Sequence, residues 1–129
     1  MKQFAVIGDP IAHSLSPILH QEVYRQLDLD ASFEKIHLMP NALHSFMKVN
    51  ELDGFNVTIP YKQSVIPFLN ELDESAQTIG AVNCVHDGKG YNTDWIGFTT
   101  AMEQNGISLN GKDCIILGSG GAARAIAFG

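Results

Sequence analysis

The sequence is short of the residues on which several protein classes depend. Its 129 residues contain two cysteines, Cys84 and Cys114, too few for a disulfide-stapled scaffold. Both lie in apolar runs, AVNCV and DCIIL, and read as buried thiols in a reducing compartment. The five histidines, at 13, 20, 37, 44 and 86, have neither HExxH nor Cys/His ligand spacing, so no metal is expected. Eight basic residues stand against 14 acidic ones, for a net charge of −6. They are scattered, which argues against nucleic acid or an anionic membrane as the partner. No apolar run approaches the ~18 residues of a membrane span. The opening Met-Lys-Gln-Phe leads straight into a strand without a signal-peptide pattern. A cytoplasmic protein is expected.

What is present is an ordinary globular composition, 45% hydrophobic and 17% charged, enough for one core or one domain and a piece of another. Strand and helix patterns alternate. Strand 2–7 precedes a helix at 16–28, where Ile18, Leu19, Val23 and Leu27 recur at helical spacing. Strand 32–38 is followed by a helix at 41–50 with Leu43, Phe46 and Met47 inward. Strand 54–59 is followed by a helix at 62–71. Strand 80–86 turns at Asp87-Gly-Lys-Gly90 into Tyr91 and beyond, and a helix at 95–105 carries Trp95, Phe98 and Met102. This order predicts an α/β fold, a mainly parallel sheet with helices on both faces.

Four polar clusters fall at the ends of these elements. Ser14 and Ser16 precede the first helix. Asn56, Thr58 and Lys62 surround the end of the strand GFNVTIP, where Pro60 stops pairing. Asn83 sits in the apolar run GAVNC, and Asn92, Thr93 and Asp94 precede the helix at Trp95. Open α/β sheets place ligands at the carboxyl ends of their strands. Each residue also has a plainer reading. Ser16 can cap the helix at Pro17 and Asp94 the helix at Trp95. Lys62 can be a solvated lysine, although cations are disfavoured at helix N-termini. Asn83 can be a core amide tied to backbone. Ser14, outside the helix, lacks such an excuse. Two hydroxyls beside a helix N-terminus suit a carboxylate ligand.

A boundary is expected at Gly106–Gly111. Beyond it, strand 114–117 leads to Gly118-Ser-Gly-Gly-Ala-Ala123 and a helix from Ala122. This is the G-x-G-x-x-A pattern in the strand–turn–helix context of a dinucleotide fingerprint.

HSLSP, NVTIPYK, GAVN and NTD, in this order, resemble the substrate half of the shikimate dehydrogenases, and the glycine segment resembles the start of their dinucleotide-binding half. The resemblance spans the whole chain. It implies a substrate-binding domain over 1–105 and the truncated start of a Rossmann domain over 106–129. It implies NADP-dependent reduction of 3-dehydroshikimate to shikimate, a step of aromatic amino acid biosynthesis. Lys62 becomes the catalytic acid/base, with Asp94 as its partner. Ser14 and Ser16 bind the substrate carboxylate, and Thr58 and Asn83 bind ring hydroxyls. Gly118, Gly120, Gly121 and Ala122 meet the cofactor. Asn56 is expected to hold its loop and Trp95 to anchor its helix as a largely buried residue. His20-Gln21 departs from the family's usual His-Asn. The residue that reads the adenosine ribose lies ~20 positions beyond the fingerprint, past Gly129. The rival readings are a fragment that binds shikimate without turnover and a quinate-preferring relative. The apolar tail, lacking partner strands, is expected to be disordered or ordered by self-association as a homodimer, with weak or absent NADPH binding.

Overall fold

The computed structural model describes residues 1–129. Its strands are β1 (Lys2–Gly8), β2 (Ala31–His37), β3 (Gly54–Val57), β4 (Glu71–Leu72), β5 (Cys84–His86) and β6 (Lys89–Tyr91). They form one sheet in the order β2-β1-β3-β5-β6-β4. β1 pairs in parallel with β2 and β3, and β4 with β6, while β5 runs antiparallel to both its neighbours. The helices are α1 (Ser16–Gln26), α2 (Leu43–Val49), α3 (Glu74–Ile79), α4 (Asp94–Gln104) and α5 (Gly121–Phe128). The expected α/β class, with a mostly parallel sheet, is what forms.

Strand alternation distributes the core over two faces. Ile7, Phe55, Val57 and Val85 share the larger cluster with Leu43 of α2 and Ala76 of α3. Val6 and Phe33 lie in a second cluster with Phe4 and Tyr24 of α1. β5 and β6 meet at Asp87-Gly88, both with positive φ (49° and 73°), as a two-residue hairpin of the type favoured by strand twist requires.

Several expected elements differ. The helix at 62–71 is absent; its middle is a short 3-10 turn at Ile66–Phe68. Pro67 lacks the N–H that an α-helix interior needs. β4 and α3 follow instead. Asp73 starts α3 by accepting bonds from Ala76 and Ser75 N–H, and Gly80 ends it at φ 71°. Residues 112–117 form no strand, because nothing in this sheet pairs with them. Cys114 is exposed and Cys84 only partly buried, so the expectation of two buried thiols fails for Cys114. The tail is not structureless: α5 packs on α4 and α3 within one chain.

α1 does not bury the apolar positions whose spacing marked it as a helix. Pro17, His20 and Tyr24 face the sheet, whereas Ile18, Leu19 and Leu27 are more than 60% exposed. No helix is long and apolar enough to cross a membrane.

Candidate functional site

The topology gathers the polar clusters at one edge of the sheet. β1 and β3 run in parallel, so Ser14–Ser16 beyond β1 and Thr58 beyond β3 leave at the same edge. Thr58 N–H bonds Ile7 C=O and Asp9 N–H bonds Ile59 C=O, stitching the two exits together. β5 is antiparallel to β3, so its start lies at that edge; Val57 N–H donates to Asn83 C=O at 2.8 Å. β6 is antiparallel to β5, which returns Asn92–Asp94 there, and Asn83 N–H donates to Tyr91 C=O at 3.0 Å.

Lys62 and Asp94 form the centre of the site. Lys62 Nζ donates to Asp94 Oδ2 at 2.6 Å, with the two side chains 16% and 31% exposed. Asn83 Nδ2 donates to the other carboxylate oxygen, Oδ1, at 3.0 Å. Asn83 Oδ1 accepts from Thr93 N–H at 2.9 Å. Lys62 is fixed by its backbone, since Val82 N–H donates to Lys62 C=O at 2.7 Å. The preceding Tyr61 is buried and donates its hydroxyl to Leu38 C=O. A charged amine thus lies against a carboxylate in a partly dehydrated cleft, an arrangement that can hold and transfer a proton.

The capping readings give way. Asp94 is the first residue of α4, and its carboxylate caps nothing. Asn92 Oδ1 takes the Asp94 N–H instead, at 3.0 Å. Ser16 is the first residue of α1 and makes no cap bond; Ser14 Oγ accepts from Ser16 N–H at 3.3 Å. Ser14 therefore has a structural contact that its place outside the helix did not suggest, while the Ser16 hydroxyl has no intramolecular partner among the hydrogen bonds formed. Asn56 does not hold its loop; its Nδ2 lies 3.4 Å from His20 Nε2 on α1. Burial lowers the His20 pKa. The neutral ring can accept the Asn56 amide proton.

The glycine segment faces this centre. A cavity of about 720 Å³ is lined by Thr58, Pro60 and Lys62 on one side and Gly118, Gly120 and Ala122 on the other. Gly121 packs so closely that a Cβ there would lie 3.0 Å from Lys62 Cβ and 3.2 Å from Ala81 Cβ. Around Gly120 a Cβ would meet nothing within 4 Å, and at Gly118 (φ 137°) the only neighbour would be Ala123 Cβ at 3.7 Å. These glycines leave an open backbone cradle at the first turn of α5, which contains no acidic residue. That chemistry fits a dinucleotide pyrophosphate. The nearby Trp95 is only partly buried; its ring meets Phe128 of α5 edge-on at 5.2 Å and packs on the Ile79–Ala81–Ala125 cluster. It anchors α5 to α4. No group of three or more potential metal-ligating side chains forms.

Residues 6–85 match the family model described as the shikimate dehydrogenase substrate binding domain. The chain is 43% identical over 132 residues to a protein of Staphylococcus epidermidis named shikimate dehydrogenase (NADP(+)), covering 97% of this chain and 49% of that protein. Among solved structures, shikimate dehydrogenase 1 of Peptoclostridium difficile superposes with a TM-score of 0.93 at 30% identity, over 98% of this chain and 50% of that one. The Thermus thermophilus shikimate 5-dehydrogenase in complex with NADP(H) and shikimate superposes with a TM-score of 0.83 at 40% identity, over 99% and 51%. The chain therefore spans about half the length of the curated relatives it matches.

Proposed function

The chain belongs to the family of shikimate dehydrogenase substrate-binding domains, and we propose that its cleft binds shikimate and 3-dehydroshikimate for NADP-dependent interconversion of the two. The observation that carries this reading is the Lys62–Asp94 contact of 2.6 Å, with Asn83 on the second carboxylate oxygen. The same ligand chemistry appears in the name of a solved relative, which holds NADP(H) and shikimate.

Each residue has a defined task in this reading. Ser14 and Ser16 donate hydroxyls to the substrate carboxylate, beside the positive end of α1. Thr58 and Asn83 hold ring hydroxyls. Asp94 accepts from Lys62 Nζ and orients it. In reduction, the Lys62 ammonium gives its proton to the ring ketone oxygen as that oxygen becomes a hydroxyl; in oxidation the neutral amine takes it back. Gly118, Gly120, Gly121 and Ala122 hold the pyrophosphate of the bound cofactor, which supplies the hydride.

Residues 1–105 form the shikimate-binding part and residues 106–129 the start of the cofactor-binding part. The chain by itself binds substrate without efficient turnover. Ile115 and Leu117 are 88% and 92% exposed in a segment that no strand pairs with, and they are where a second copy would add. A cytoplasmic setting fits the two free thiols. The test is NADP⁺ reduction followed at 340 nm with shikimate, with quinate as the competing substrate, alongside calorimetric titration of shikimate alone. Shikimate binding that is lost in Ser16→Ala, with turnover near background, is the expected result. Absence of shikimate binding by the folded chain overturns the reading.

A further inference from the structure

We propose that Asn92 is a positioning residue for the Lys62–Asp94 pair, through a buried amide that fixes the start of α4 to the segment carrying Asn83. The inference rests on the reading of that pair as the proton-handling centre.

Asn92 is 2% exposed and one of the largest fully buried side chains. Its Nδ2 donates to Ala81 C=O at 3.0 Å, two residues before Asn83. Its Oδ1 accepts from Asp94 N–H at 3.0 Å. One amide thus joins the two backbone segments whose side chains must meet. Asn83 makes the reciprocal connection, from Thr93 N–H to Asp94 Oδ1. The two amides form a double brace around Thr93.

The brace demands an amide. It must donate to a carbonyl and accept from an N–H at once, out of water. An ionised aspartate can only accept, and would face Ala81 C=O with no proton to offer. An apolar replacement leaves both backbone groups buried and unpaired, which is costly. Asn92 backbone also ties to α3: Ser75 Oγ approaches Asn92 C=O at 3.4 Å, and the Asn92 N–H helps hold the Asp73 carboxyl down. Those contacts serve the core and do not reach Asp94, so Ser75 gives a control for general loosening.

The test reads the side-chain amide of Asn83 by ¹H–¹⁵N NMR and shikimate affinity by calorimetry, in the 129-residue chain. Asn83 Nδ2 donates both to Thr93 Oγ1 at 2.9 Å and to Asp94 Oδ1 at 3.0 Å, so the amide proton whose resonance moves in Asp94→Ala is the one that reports the carboxylate contact. Asn92→Ala and Asn92→Asp are expected to move the Asn83 resonance toward its position in Asp94→Ala and to weaken shikimate binding at least tenfold. Ser75→Ala is expected to leave the Asn83 resonance in place and the shikimate affinity within twofold of the parent. A folded Asn92→Ala chain with the Asn83 resonance unmoved overturns the inference. Hydrogen exchange in the parent chain decides the matter even where the variants do not fold: the Asp94 N–H should be strongly protected, and exchange at the rate of an unstructured amide overturns it. Failure of the parent chain to bind shikimate overturns the proposed function instead, while the Asn83 resonance still decides the role of Asn92.

Discussion

Lys62 Nζ and Asp94 Oδ2 lie 2.6 Å apart although 32 residues separate them. The lysine follows β3 and the aspartate follows β6, and the antiparallel insertion of β5 between them brings both exits to one edge. A hydrogen bond to a charged partner contributes ~1.5–3 kcal/mol. Removing one member strands the other in a partly buried site. Lys62→Met is therefore expected to cost about 1–3 kcal/mol in urea denaturation and to weaken shikimate binding in calorimetry. Unchanged stability together with unchanged shikimate affinity would show that the pair has no such role.

Asp73 makes acid stability predictable. Burial alone would raise its pKa, but hydrogen bonds from Ala76, Ser75 and Asn92 outweigh it and hold the carboxyl below its ordinary value. A depressed folded-state pKa adds stability above the unfolded-state value of ~4 and loses it as pH falls through the folded value. The parent should lose stability as pH falls below about 4, in part through this group. Asp73→Asn should flatten that part of the acid limb of a stability-against-pH curve. Asp73→Ala, which removes the cap of α3, should cost about 0.5–2 kcal/mol at neutral pH.

Gly90 reports on core packing. A Cβ there would lie 2.6 Å from Leu69 Cδ1, 2.8 Å from Val82 Cγ2 and 2.9 Å from Leu72 Cδ2. Gly90→Ala should overpack the sheet and cost about 1–3 kcal/mol by thermal or urea unfolding. A neutral result would mean that the leucines move aside freely.

Trp95 is the only tryptophan, so its emission reports the α4–α5 contact directly. Phe128→Ala should shift the emission to the red as α5 loosens from Trp95. Because Trp95 is partly buried, Trp95→Ala should cost less than the ~3–5 kcal/mol of a fully buried aromatic. An emission spectrum indifferent to Phe128 would mean that α5 is not seated there in solution.

The convergence of the polar residues was more legible in the sequence than the packing around them. β1, β2 and the end of β3 before Thr58 were legible, because pairing stops at Pro60; Asn83 was expected inside a strand over 80–86, whereas β5 is Cys84–His86 and Asn83 precedes it. The pairing of Lys62 with Asp94 was legible through the family resemblance, not from spacing. Three features were not. α3 is six residues long, too short for a periodic signal, although Asp73 and Gly80 mark its two ends. The stripe Ile18–Leu19–Val23–Leu27 suggested the buried face of α1, yet His20 and Tyr24 face the sheet, where His20 stacks on Phe33 at 4.1 Å. Periodicity identifies a helix but cannot say which of two half-apolar faces is covered. The run 114–117 has strand composition, but strand structure requires a partner, and the sheet offers none.

The most direct test is a ¹H–¹⁵N NMR titration of the chain with shikimate. Saturable shifts are expected at one edge of the sheet only, at Ser14, Ser16, Thr58, Asn83 and Asp94, with the exposed face of α1 unmoved. Saturable shifts elsewhere, or none in a folded chain, would contradict shikimate binding at this edge.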